Sequence, residues 1–223
     1  MSMFKILVYD GSFEGLMCCI FTLYEQKIPV FRLARIGEPL GELFAQTIQV
    51  KSNKAQAQRV WSGIKRKSSN ISLERIELAY LSEIRGEDHT IIRYVQYLID
   101  SKKNIEENLS HPVVQRLNDV VKMLHREKQV VKEKIRFQTL VNDIKYNIIE
   151  PNYNVLPLLK DYLLQKYAKQ KWIVYDIRRN KGLFYNLQEI KDIQLDLPTK
   201  NPEENMFQEE EKVLQKLIEL LLQ

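Results

Sequence analysis

VYDGSFEGLMCCIF, residues 8–21, joins a strand-like run to an apolar helix across one glycine turn. Phe4–Tyr9, FKILVY, reads as a buried strand of aliphatic and aromatic residues. Phe13–Gln26 reads as a helix, with Ser12 as its cap and Glu14 in its first turn. Pro29 ends it. Nucleotide-binding proteins also use strand, glycine turn and helix. Their dinucleotide fingerprint needs G-x-G-x-x-G, and the P-loop needs G-x-x-x-x-G-K-[ST]. Neither occurs here, and Asp10 would repel a phosphate. Gly11 is therefore expected to make the turn and Ser12 to cap the helix. Asp10 and Glu14 remain polar candidates at the strand's exit.

Working outward, residues 30–50 hold two short extended pieces around the turn Gly37-Glu38-Pro39-Leu40-Gly41. Helices are expected at Lys54–Lys67, with Asn53 as cap, at Leu73–Ser82 and at Asp88–Leu98. A long helix starts at His111-Pro112 and reaches Lys134, with proline in the first turn where it is tolerated. Ile135–Leu140 and Ile144–Ile149 read as a hairpin, Val155–Tyr167 as a helix. Trp172–Ile177 and Gly182–Leu187 read as a second hairpin turning at Arg178–Lys181. Pro198–Asn205 is a polar linker and Glu209–Leu222 a final helix, whose leucines would need a partner surface. The pattern is α+β: a helix-rich middle with strands near both ends. One domain over 1–197, followed by linker and helix over 198–223, is the expected organisation.

Composition narrows the class. The chain has 223 residues, 44% hydrophobic and 28% charged, as an ordinary globular protein does. No run approaches the roughly 18 apolar residues of a membrane span, and no signal-peptide pattern opens the chain. The two cysteines, Cys18 and Cys19, are adjacent on a helix, so they suit neither a disulfide nor a CxxC metal site. A cytoplasmic protein without membrane contact, metal or cofactor is expected. The net charge of +5 permits an anionic partner.

The most basic stretch is Lys51–Lys67, KSNKAQAQRVWSGIKRK, which has no acidic residue. Lys54, Arg59, Lys65 and Arg66 offer charge for phosphates, and Trp61 offers a face for a base. The same cations would also complement a helix C-terminus, and Trp61 would also suit a core. Lys122–Lys134 is basic but interleaved with Glu127 and Glu133, the pattern of a solvated helix. His89, His111 and His125 stand isolated, with no Ser-His-Asp or Cys-His arrangement. Glu150-Pro151-Asn152-Tyr153-Asn154 is a dense polar turn. Asp176-Ile177-Arg178-Arg179 ends in an arginine pair that can fork onto phosphates.

Taken in order, YDGSFEGLMCCIF, KAQAQRVWSGI, LAYLSE, LSHPVV, IRFQ, IEPNYNVLPLL and KWIVYDIRRNKGLFYNL resemble the uncharacterised bacterial family labelled "probable DNA metabolism protein", a DNA-repair group, over residues 4–190. The resemblance implies a gene neighbourhood that includes a radical-SAM protein of DNA modification or repair. A related domain occurs fused to a uracil-DNA glycosylase-like domain. It carries over to Tyr9, Asp10, Gly11 and Ser12, to Arg59 and Gly63, and to Ser82 and Glu83. It also reaches Arg136, Phe137, Glu150, Pro151, Asn154, Trp172, Asp176 and Arg179. The chain departs from the pattern where the family has His-Arg: Gln129 and Val130 stand there, and His125-Arg126 lies one helical turn earlier. The family's basic, aromatic-rich segment after the last helix is also expected to be shortened.

The resemblance therefore implies a protein of DNA metabolism or repair. Its nucleic-acid surface would comprise Lys54, Arg59, Lys65, Arg66, Arg136, Arg178 and Arg179, with Trp61 or Tyr153 as stacking platforms. Two other readings stay open. One is an enzyme acting on a nucleic-acid lesion or modified base, with Asp10, Glu83, Glu150 and Asp176 as acid/base candidates. Neither a helix-hairpin-helix glycosylase signature nor a zinc-deaminase motif accompanies it. The other is an accessory subunit of the radical-SAM protein.

Overall fold

The computed structural model describes residues 5–40, 45–101, 104–195 and 206–222. The fold is α+β, and the chain divides into two compact units, 1–122 and 123–223. The linker expected at 198–205 lies outside the described residues.

The first unit is built on three parallel strands. β1 (Lys5–Tyr9) lies between β2 (Phe31–Arg35) and β3 (Gln46–Gln49). Parallel neighbours require a crossover, and α1 (Phe13–Glu25) supplies the one between β1 and β2. Ile6, Leu7, Val8 and Tyr9 are all buried. A strand covered on both faces reads as a continuous apolar run, which is how FKILVY reads. α1 presents Leu16, Met17, Cys18, Cys19, Ile20 and Leu23 to the interior, and both cysteines are free. It packs on β1 and on α2 (Lys54–Lys67). α3 (Asn70–Leu81) and α4 (Glu87–Asp100) follow. α5 (Pro112–Lys134) begins in this unit and ends in the second.

The caps are local. Ser12 accepts a hydrogen bond from the Gly15 amide at 2.9 Å, and Asn53 one from the Gln56 amide at 3.0 Å, as expected for each. α3 starts three residues before the expected Leu73, because Ser69 caps it, accepting from the Ile71 amide.

The second unit holds a five-stranded sheet of order β4-β5-β6-β7-β8. β4 (Gln138–Thr139) and β5 (Lys145–Ile149) form the first hairpin, with β4 only two residues long. β6 (Trp172–Asp176) and β7 (Lys181–Tyr185) form the second. Between them β5 and β6 run parallel, connected through a 3-10 turn at Leu156–Leu159 and α6 (Lys160–Tyr167). β8 (Ile190–Ile193) adds an edge that the sequence reading did not include. One core of this unit joins Trp172, Val174, Leu183, Leu159 and Leu163 to Val131 and Ile135. Another joins Ile144, Ile173 and Tyr175 to Val213 and Leu217 of α7 (Met206–Leu222). Those two residues thus find their partner surface within the chain.

Candidate functional site

The three parallel strands of the first unit end on one edge, the edge where open α/β sheets hold ligands. Asp10, Gly11 and Ser12 leave β1 there. Arg35 closes β2, and Ser52 and Asn53 follow β3. Asp10 Oδ1 accepts the Ser12 amide at 2.9 Å and the Ser12 hydroxyl at 2.6 Å. Asp10 Oδ2 accepts the Ser52 hydroxyl at 2.7 Å. The Ser12 and Ser52 bonds hold the Asp10 carboxyl below its ordinary pKa. Gly15 makes this packing possible: a Cβ there would stand 2.3 Å from Asp10 Oδ1 and 2.9 Å from Ser52 Oγ. Gly11 takes φ +79°, and the Arg35 side chain crosses over it. The Tyr80 hydroxyl donates to the Gly11 carbonyl at 3.0 Å.

Beside this loop lies a cleft of about 430 Å³, whose lining includes Tyr9, Arg35, Glu83, Arg85, Asp88 and His89. Asp88 Oδ2 receives three donors: the Tyr9 hydroxyl at 2.5 Å, Arg35 Nη2 at 2.8 Å and Arg35 Nε at 3.1 Å. Burial, and then the Asp88 charge, push the Tyr9 phenol well above its ordinary pKa, so it stays protonated as a donor. Burial disfavours the Arg35 cation, but the bonds and charge of Asp88 outweigh it and raise its pKa. His89 lies against Phe31 with ring centroids 4.9 Å apart. Its pKa is lowered by burial and by Arg93. Glu83 holds φ 53°, in the left-handed region.

α2 carries the basic stretch. Lys51, Lys54, Arg59, Lys65 and Arg66 are exposed. Among the described residues, none of them is ion-paired. Lys65, Arg66 and Lys67 stand in the last turn, where cations complement the helix dipole. Lys54 stands in the first turn, where the dipole opposes it and no acidic residue offsets it. Trp61 is half-buried, its ring edge-on to Phe13 at 5.3 Å, with Lys65 Nζ 5.7 Å from its centroid.

The remaining sequence candidates belong to the second unit. Asp176 is fully buried and bonds Arg179 Nη1 at 3.0 Å, together with the Arg178 and Arg179 amides. Burial raises the Asp176 pKa, and Arg179 counters it. Arg179 also donates to the Pro151 and Asn152 carbonyls, both at 3.0 Å. The pair thus staples the β6–β7 hairpin to the loop after β5. Arg178 is exposed, and Tyr153 packs half-buried against the core. Ile149 is in register with Asp176, so Glu150, one residue on, faces the other side of the sheet. Accordingly, Asp176 and Glu150 line different hollows. Arg136 Nη1 donates to the Glu133 and Ile135 carbonyls at 2.7 and 2.9 Å.

Of the four carboxylates proposed from sequence, Asp10 and Glu83 lie in the first unit, and Glu150 and Asp176 in the second. Arg35, Ser52, Tyr80 and Asp88 were not singled out. They reach the Asp10 loop and its cleft through parallel pairing and helix packing, which leave no short-range motif. Among the described residues, no three His, Cys, Asp or Glu side chains gather as a metal site. No described helix is long and apolar enough to cross a membrane.

A family model described as "Domain of unknown function (DUF4130" matches residues 85–219. No curated protein matches the chain. One solved structure similar to it is titled "pGpG-specific phosphodiesterase - PggH from Vibrio cholrae". It has 11% identity and a TM-score of 0.39, and the match covers 81% of each chain. A likeness of that size carries no argument about activity.

Proposed function

The chain belongs to this family of unknown function, and from its own geometry we propose that it binds a nucleic-acid backbone, DNA foremost, along the basic face of α2. The observation that carries the reading is the uncompensated charge of α2. Lys54, Arg59, Lys65 and Arg66 are exposed and without an ion pair among the described residues, and Lys54 is set against the helix dipole. The dipole accounts for Lys65 and Arg66 but not for Lys54 or Arg59, whereas a polyanion accounts for all four. Ser52 and Asn53 fasten the start of this helix to the loop and to α1: the Ser52 hydroxyl donates to Asp10, and the Asn53 amide donates to Cys18 Sγ of α1 at 3.3 Å. The start of α2 is thereby held beside Asp10, and Arg59, Lys65 and Arg66 stand further along the helix, at about 1.5 Å of rise per residue. A role in DNA metabolism is what the sequence resemblance implies, and this surface is what supports it.

A salt titration of fluorescent DNA tests the reading. Replacing Arg59, Lys65 and Arg66 by glutamine should weaken binding to many sequences alike. It should also flatten the plot of log affinity against log salt by roughly two to three units, close to one per lost contact. An unchanged slope with a folded variant would assign these charges to solvent.

A further inference from the structure

We infer that the second unit carries its own surface for nucleic-acid backbone phosphates, formed by Lys132, Arg136 and Lys166 around Tyr162. The inference rests on the nucleic-acid reading and joins to Arg136, already a phosphate candidate, Lys132 from the stretch whose pattern is that of a solvated helix and Lys166 from α6. Lys132 comes from the end of α5 and Lys166 from the end of α6. Each alone complements its own helix dipole. The dipoles do not account for their convergence. Lys132 Nζ lies 4.7 Å and Lys166 Nζ 5.3 Å from the centroid of the Tyr162 ring. Lys166 Nζ also donates to the Tyr162 hydroxyl at 2.8 Å and lies 5.4 Å from the Tyr167 centroid.

Arg136 completes the group. One end of its guanidinium is fixed on two backbone carbonyls, while the residue stays exposed. A fork held at one end and free at the other is arranged to take phosphate oxygens. The acidic neighbour in this hollow is Glu133, whose carboxylate accepts the Gln129 amide at 2.8 Å. No ion pair joins it, or any other carboxylate among the described residues, to the three cations. Lys160, on the same helix as Lys166, is paired to Asp192 at 3.1 Å. Two lysines on aromatic rings and an arginine in the same hollow, none of them ion-paired among the described residues, fit a polyanion better than a small neutral ligand.

The test compares three full-length proteins with fluorescent single-stranded DNA across a salt series: wild type, Lys132→Gln/Arg136→Gln/Lys166→Gln and Arg59→Gln/Lys65→Gln/Arg66→Gln. Circular dichroism confirms that each is folded. The variant of the second unit should flatten the salt slope by about two units, at roughly 0.7 per contact on single strands. Lys166→Glu alone, at an exposed position, should weaken binding several-fold and guards against misfolding of the triple variant. Wild-type binding by both second-unit variants would overturn the inference and leave the α2 reading intact. A loss confined to them would support the inference and sink the α2 reading. A wild-type protein that binds no nucleic acid at low salt would sink both.

Discussion

At Gly15 the usual preference of a helix interior is reversed. Alanine in place of glycine normally stabilises a helix by about 0.5–1 kcal/mol. Here its Cβ would meet Asp10 Oδ1 at 2.3 Å, Ser52 Oγ at 2.9 Å and the buried Tyr9 ring at 3.0 Å. Relieving that contact means breaking the Asp10 hydrogen bonds. Gly15→Ala should therefore destabilise by about 1–3 kcal/mol. Gly63→Ala, where a Cβ meets nothing within 4 Å, should stabilise by about 0.5–1 kcal/mol. Thermal denaturation of the two variants decides it, and a Gly15→Ala protein that melts above wild type would contradict the packing. Asp10 itself predicts a pH effect. Its folded pKa is depressed by Ser12 and Ser52. Its contribution is thus present above the unfolded value of about 3.9 and is lost as pH falls through the folded value. Asp10→Asn should be less stable than wild type at pH 7, and the gap should close towards pH 2 in urea titrations. A gap that persists there would mean that the carboxylate's charge is not what the hydroxyls hold.

Among the elements, the Asp176–Arg179 staple separates structural from functional charge. Both groups are largely buried, with side-chain exposures of 0% and 10%. Removing one member of a buried pair strands the other, at about 3–5 kcal/mol. Arg179→Ala should fall near the lower end, since two amides still hold Asp176. A urea midpoint equal to wild type would show the staple to be idle. β7 offers a second local test. A Cβ on Gly182 would stand 2.6 Å from the ring of its cross-strand partner Tyr175, so Gly182→Ala should lower the melting temperature too. What the sequence reveals follows from how local each signal is. The Asn53 cap and Pro112 fixed both helix starts, because capping and the proline rule act within one turn. The β6–β7 hairpin was legible from its turn. β8, IKDI, was not, because a short edge strand of alternating polarity takes its identity from the strand it joins. The Asp88–Arg35–Tyr9 contact was invisible for the same reason, since it spans 79 residues between Tyr9 and Asp88.

For the whole molecule, the two compact units imply separately addressable packing, and α5 is the element that has residues in both. Its Val114, Leu117 and Val120, which belong to the first unit, are fully buried, and its Val131 belongs to a core of the second. A helix in water is held mainly by the tertiary packing of its apolar face, so each half of α5 should follow the core that holds it. Native-state hydrogen exchange resolves this residue by residue, because openings of different segments have different free energies. In Gly15→Ala, exchange should quicken in β1, α1 and the N-terminal half of α5. In Arg179→Ala it should quicken in β5, β6, β7 and the C-terminal half. Uniform acceleration of all α5 amides by either substitution alone would show that the molecule opens as one cooperative block. The charged surfaces of the two units would then have to be read as parts of a single folding unit.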